Sequence, residues 1–239
     1  MKSKIQLISG PRNISTALMY SFGNRKSCQI IDEPFYAYYL ESTNLDHPGK
    51  KEIIDSQSTN PEKVIAGFYS DKYIKEELFI KNMAHHFIGL NPKFTLDFKN
   101  IFLIRNTTEI LTSFAKVIPN PSMKDIGIKK EWELYQFLEQ ENNQPVVIDS
   151  GILLENPRVI LQKLCETINI PFQESMLTWK AGPRKEDGIW AKYWYNNVHK
   201  TTYFKKQQTV PRVLKENLQQ VNEEAYIYYK KLLDLAIRA

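Results

Sequence analysis

Short unbroken apolar runs alternate with helical spacings along most of this chain. Residues 4–8 (KIQLI) read as a strand that ends at the breaker cluster Ser9-Gly10-Pro11. From Ser15 to Arg25 the spacing is helical, with Ala17, Leu18, Met19 and Phe22 on a shared side. Residues 28–31 (CQII) read as a second strand, closed by Asp32-Glu33-Pro34. Further strands are expected at 78–81 (LFIK), 101–104 (IFLI) and 146–149 (VVID), all rich in branched residues and bounded by polar turns. Helical patterns at 107–117, 130–142 and 158–168 separate or follow them. Pro61, placed for a first helical position, opens another helix to about residue 69. A long amphipathic helix is expected over 211–238.

Unbroken apolar strands joined by amphipathic helices imply an α/β fold with three layers, a central and mainly parallel sheet flanked by helices. No linker or internal repeat interrupts residues 1–239, so one domain is expected. Ligands of such sheets bind beyond the carboxyl ends of the strands. The polar residues just after each strand are therefore the candidates for function. The stretch from Tyr36 to Asn60, polar and aromatic by turns, is expected to cover a site.

Composition narrows the classes. An apolar fraction of 42% and a charged fraction of 25% are those of a globular chain, not of a disordered or collagen-like one. The net charge of +5 is spread along the sequence without a long basic run, which suits a small anionic ligand better than nucleic acid. No apolar stretch approaches the ~20 residues of a membrane span, and the one near the N-terminus is too short for a secretory signal. Cys28 and Cys165 lie far apart without metal-ligand spacing, as for two thiols in a reducing compartment. A cytoplasmic protein with no membrane or nucleic-acid partner and no bound metal is expected. The C-terminal helix offers a face for a homodimer contact, with packing onto the core as the alternative.

Candidate chemistry begins after the first strand, in ISGPRNISTALMYSF. A strand, a tight turn and a helix start make an anion site, because first-turn N–H groups are unpaired and the helix dipole favours negative charge. Arg12 adds a fixed cation and Ser15 and Thr16 add hydroxyl donors, while Gly10 allows a close or left-handed backbone approach. The triphosphate loop GxxxxGK[ST] is not present: Asn13-Ile14 stands where its Gly-Lys pair is sought. A helix cap at Ser15 beside an incidental arginine is the plainer reading of the segment. A second anion site follows the strand 101–104, where Arg105 is positioned to fork onto a phosphate and Ser113 lies two helical turns on. Two such sites suggest a ligand with two separated phosphate-like groups.

These residues resemble the PAPS-dependent sulfotransferases of the P-loop sulfotransferase family. FLIRNTTEILTSF is similar to that family's 3′-phosphate segment, in which an Arg at a strand end is followed eight positions later by a Ser. GPRNIST resembles its 5′-phosphosulfate loop, and Arg184-Lys185 with Gly188 echoes its C-terminal Arg-Lys-Gly loop. Asn106 stands in place of the usual Asp, and the C-terminal loop lacks the glycine beside Arg-Lys. The resemblance covers most of the chain. It implies that Arg12, Asn13, Ile14, Ser15 and Thr16 hold a 5′-phosphosulfate, and that Arg105, Ser113 and, through the C-terminal loop, Arg184 hold a 3′-phosphate. The co-substrate implied is PAPS, with adenosine 3′,5′-bisphosphate as product and a small-molecule or glycan hydroxyl as acceptor.

Sulfuryl transfer gains from a base on the acceptor hydroxyl and a cation near the leaving oxygen. Glu33 is the expected base, at a position like that of a glutamate in one bacterial branch. Lys81, ending LFIK, resembles the family's lysine at the bridging oxygen. His86 is the alternative base, although the family's histidine position corresponds here to Met83. The aromatic runs Phe35–Tyr39 and Trp190–Tyr195 suit either an acceptor pocket or core packing. Two rivals remain: an ATP- and magnesium-dependent small-molecule kinase, and a nucleotide-binding module without catalysis.

Overall fold

The computed structural model describes residues 3–118, 120–206 and 214–239. Five strands form one parallel sheet: β1 (Ser3–Ser9), β2 (Cys28–Asp32), β3 (Glu77–Met83), β4 (Lys99–Ile104) and β5 (Val146–Asp149). Their order is β2-β3-β1-β4-β5. Each expected strand is present, most with one or two further residues. The register pairs Ser9 with both Met83 and Leu103, so β1 runs out level with the ends of its neighbours. The chain adds β2 and β3 on one side of β1, then crosses to the other side for β4. Loops leaving β1 therefore open into the crevice of a topological switch point.

The helices follow in chain order. They are α1 (Ser15–Gly23), α2 (Tyr36–Thr43), α3 (Lys50–Ser56), α4 (Pro61–Gly67), α5 (Thr107–Phe114) and α6 (Met123–Ile126). Then come α7 (Ile128–Gln140), α8 (Ser150–Glu155), α9 (Pro157–Thr167), α10 (Ala191–Trp194) and α11 (Glu216–Asp234). The expected helix 107–117 closes earlier, at Phe114, and its last three residues form a turn. The expected C-terminal helix begins at Glu216; its residues 211–213 lie outside the described residues. Side-chain alternation along the strands divides the core into two layers. Ile5, Leu7, Ile101, Leu103 and Ile148 pack with Leu18, Met19 and Phe22 of α1 and Ile160 and Leu164 of α9. Ile8, Phe102, Ile104 and Val147 face the other way, onto α5, α7 and α11.

In α11, Leu218, Ala225, Tyr229 and Leu232 are buried on that second face, and Tyr226 and Ile227 are exposed. Among the described residues no helix is long and apolar enough to cross a membrane.

Candidate functional site

A cleft of about 370 Å³ lies beyond the carboxyl ends of β1, β2, β3 and β4. Its floor is the turn between β1 and α1. Gly10 is required there by close approach: a Cβ on it would stand 2.4 Å from the Ile126 carbonyl oxygen, which is backbone and cannot swing aside. Arg12 (φ 59°) and Ile14 (φ 50°) take left-handed conformations on either side of Asn13. For a β-branched residue this is strained, by about 1–2 kcal/mol. Such alternation turns successive N–H groups into one anion-binding concavity. No side chain caps the N-terminus of α1, so its first-turn N–H groups remain available to a ligand. Asn13 donates to the Leu103 carbonyl, while among the described residues its buried Oδ1 has no partner.

The second expected anion position is joined to the first. Arg12 Nε donates to Ser113 Oγ at 3.1 Å, and Arg105 donates to the Arg12 carbonyl oxygen at 2.7 Å. Arg105 Nε also pairs with Glu109 at 2.7 Å. Asn106, where the family has Asp, caps α5 by accepting from the Thr108 N–H at 3.1 Å. Burial, and then the nearby Arg105 charge, lower the Arg12 pKa, a sign that positive charge is crowded here and that an anion would relieve it.

Beside these arginines the cleft meets a buried ionic group. Lys81, near the carboxyl end of β3, donates to Asp32 Oδ1 at 2.9 Å, to Glu33 Oε1 and to the Tyr195 hydroxyl at 2.7 Å. Burial alone would lower the lysine's pKa, but the Asp32 and Glu33 carboxylates outweigh it and hold it raised. Burial raises the Glu33 pKa, the Lys81 ammonium pulls it back, and Asp32 pushes it up again; the outcome is a raised value. The backbone at Glu33 is itself constrained, with φ 37° and its N–H on the Lys81 carbonyl at 2.9 Å.

The remaining wall is aromatic. His86, 1% exposed, stacks on Tyr36 at 4.7 Å between ring centroids and lies 4.8 Å from Tyr39. Burial, then His85, His47 and Lys81, hold its pKa well below the usual imidazole range, so it is a neutral ring. Among the described residues, the buried Nδ1 atoms of His85 and His86 have no partner. Tyr36 and His47, from the stretch expected to cover a site, join here through a 2.8 Å hydrogen bond and line the cleft with Phe114 and Trp194.

The fold thus gathers Arg12, Asn13, Ile14, Ser15, Thr16, Glu33, Lys81, His86, Arg105 and Ser113 around one cavity. Arg184 is not brought to it. Its guanidinium lies 4.2 Å over the Tyr20 ring and bonds Asn24 Oδ1 at 3.3 Å, and it does not line the cleft. Its neighbour Asp187 accepts from the Tyr20 hydroxyl at 2.8 Å, which fastens the segment to α1. Sequence reasoning passed over Asp32 as a strand end and gave Tyr195 only a packing or lining role. The signal available was Asp32's place directly before Glu33; nothing local marked Tyr195. Among the described residues no group of three or more His, Cys, Asp or Glu side chains converges as a metal site.

Comparison with known proteins adds a family. A family model described as a sulfotransferase domain matches residues 3–233. Two Arabidopsis thaliana proteins, branched-chain-amino-acid aminotransferase-like proteins 1 and 2, are 40% and 38% identical over 205 residues. That match is 85% of this chain but 37% and 36% of theirs, so the chain spans little more than a third of their length. The sulfotransferase domain from the curacin biosynthetic pathway superposes with a TM-score of 0.60 at 18% identity, over 95% of this chain and 98% of that one. The sulfotransferase domain of the Synechococcus PCC 7002 olefin synthase gives 0.57 at 17%, over 94% and 95%. A sulfotransferase from Alicyclobacillus acidocaldarius gives 0.52 at 10%, over 100% and 98%. At such identities the likeness establishes the fold, the three-layer P-loop NTPase-like α/β arrangement.

Proposed function

We propose that this chain, which belongs to the sulfotransferase domain family, moves a sulfuryl group from PAPS to a hydroxyl of a small molecule or glycan. One observation carries the reading. Two arginines from different strand ends and an uncapped helix N-terminus converge on a single cleft that also holds a buried carboxylate. The crowded positive charge at Arg12 fits a bound polyanion.

In this reading Arg12, Ser15, Thr16 and the backbone of Asn13 and Ile14 hold the 5′-phosphosulfate, and Arg105 and Ser113 the 3′-phosphate. The donor supplies the sulfuryl group and a phosphate leaving group. Glu33 receives the proton of the acceptor hydroxyl, a task suited to a carboxylate whose burial raises its pKa above the ordinary value. Negative charge on the leaving oxygen is met by Arg12 and the first-turn N–H groups of α1, already in place before the reaction. His86, neutral and stacked, is the alternative base. The aromatic wall of Tyr36, His47, Phe114 and Trp194 receives the acceptor. Two buried free thiols, Cys28 and Cys165, suit a reducing cytoplasm. The plant relatives' aminotransferase-like naming belongs to proteins of which this chain spans little more than a third, and carries no activity to it.

Titration calorimetry with adenosine 3′,5′-bisphosphate, in the absence of magnesium, tests the donor site. Binding by the wild type is expected, with a ~10- to 100-fold loss in Arg105→Ala, the scale of a charge-assisted forked contact. Binding only of ATP, and only with magnesium, would move the kinase to the front. Tight binding without PAPS turnover against a panel of alcohols, phenols and sugars would leave a nucleotide-binding module.

A further inference from the structure

All three protons of the Lys81 ammonium are engaged inside the protein, on Asp32 Oδ1, Glu33 Oε1 and the Tyr195 oxygen. An ammonium has three donors and no acceptor, so none remains for a leaving oxygen in the cleft. The acceptors are fixed in their turn. The Tyr195 hydroxyl stands 2.7 Å from Asp32 Oδ2 and accepts from Trp190 Nε1 at 3.2 Å. Asp32 Oδ2 also accepts the Gly188 N–H at 3.2 Å. Side chains of Lys81 and Asp32 are each 1% exposed. Swinging Lys81 toward a ligand would strand two buried carboxylates, which is costly. Glu33 differs. Its Oε1 takes a bond from Lys81, with the Tyr195 hydroxyl 3.3 Å away, while among the described residues Oε2 has no hydrogen-bond partner, and the residue lines the cleft.

We infer that Lys81 serves sulfuryl transfer by positioning Glu33 and not by touching the donor, and that Asp32 and Tyr195 are the positioning residues that hold it there. The inference rests on the reading of Glu33 as the base. The acceptor's proton passes to Glu33 Oε2 while the acceptor oxygen bonds to sulfur. The bridging S–O bond breaks with its electron pair on the 5′-phosphate oxygen, where Arg12 and the α1 N–H groups stand. Four groups face Glu33 from the elements around it: Asp32 from β2, Lys81 from β3, Tyr36 from α2 and Tyr195 from just after α10. Asp32 raises the Glu33 pKa, and Lys81 and Tyr195 lower it.

The test uses Asp32→Asn, Tyr195→Phe and the double variant Asp32→Asn/Lys81→Met, which removes one charge of each sign. Two quantities are read: affinity for adenosine 3′,5′-bisphosphate by calorimetry, and the Glu33 carboxyl titration by NMR of 13C-glutamate-labelled protein, assigned with Glu33→Gln. Affinity is expected to stay within about twofold in all three variants, under 0.5 kcal/mol. The Glu33 pKa should fall in Asp32→Asn and rise in Tyr195→Phe and in the double variant, an ordering that a purely structural role would not give. A tenfold loss of affinity in a double variant that still unfolds cooperatively would overturn the inference, because Lys81 would then be touching the donor. So would a Glu33 titration unmoved by either single variant. Should the double variant not fold, the two single variants decide. A wild type that binds no adenosine 3′,5′-bisphosphate defeats the functional reading separately, and the Glu33 titration still decides the positioning roles.

Discussion

Arg12 and Ser113, 101 positions apart, meet at 3.1 Å across the floor of the cleft. The contact ties the turn after β1 to α5, so the two anion positions form one rigid concavity before any ligand arrives. Preorganised donors of this kind do not have to be ordered at the moment of binding.

Ser113→Ala should therefore weaken adenosine 3′,5′-bisphosphate binding by about 3- to 10-fold, the worth of one hydrogen bond of about 0.5–1.5 kcal/mol. Adenosine 5′-monophosphate, which lacks the 3′-phosphate, should lose less. Calorimetry with both nucleotides checks this; equal losses would assign Ser113 to the 5′ end of the donor.

Gly10→Ala places a methyl group 2.4 Å from the Ile126 carbonyl oxygen and 3.2 Å from Glu131 Oε1. The backbone of the turn must shift, at a cost of about 1–3 kcal/mol typical of overpacking. Loss of both thermal stability and donor affinity is expected, measured by scanning calorimetry and nucleotide titration. Unchanged binding would show that the turn's exact path does not matter to the ligand.

Glu131 of α7 is buried beside that turn, and one of its carboxyl oxygens has no partner among the described residues. Burial raises its pKa well above 4.5, and the Gly10 N–H offsets this only in part. The sign follows from linkage. The unfolded chain ionises Glu131 above about pH 4.5, while the folded chain keeps it protonated, so the folded state binds more protons and loses stability as pH rises toward the folded pKa. Glu131→Gln should stabilise the protein at pH 7 relative to the wild type, a gain that vanishes below about pH 4.5. Urea unfolding between pH 4 and 8 on both proteins tests it; a destabilised glutamine variant would mean that the carboxylate is ionised and paired.

His86 gives the opposite slope. Burial first, then its neighbours His85, His47 and Lys81, depress its pKa, so below about 6.5 the unfolded chain takes up a proton that the folded chain refuses. Stability from this group is present above about pH 6.5 and is lost as pH falls, by at most about 1.4 kcal/mol per pH unit. His86→Gln should flatten the acid side of the stability curve. The same urea series reads this, and an unchanged slope would place the acid sensitivity elsewhere.

What the sequence determined is what depends on neighbours along the chain. The strands, their parallel arrangement, the turn Gly10–Thr16 and the Arg105–Ser113 spacing all follow from local periodicity and from helix and strand geometry. Those same rules place polar residues at strand ends, which is why ten of the expected site residues share one cleft. The tertiary structure alone decided the rest. Lys81 and Glu33 were legible as strand-end residues, but the saturation of the ammonium depends on Tyr195, which arrives from 114 positions away along the chain. Arg184 stands in a motif-like run, yet Asp187 and the Tyr20 ring fasten its segment to α1 and it does not line the cleft. Hydrogen-bond saturation and charge pairing in a low-dielectric interior are properties of groups brought together by folding, and no spacing in the sequence encodes them.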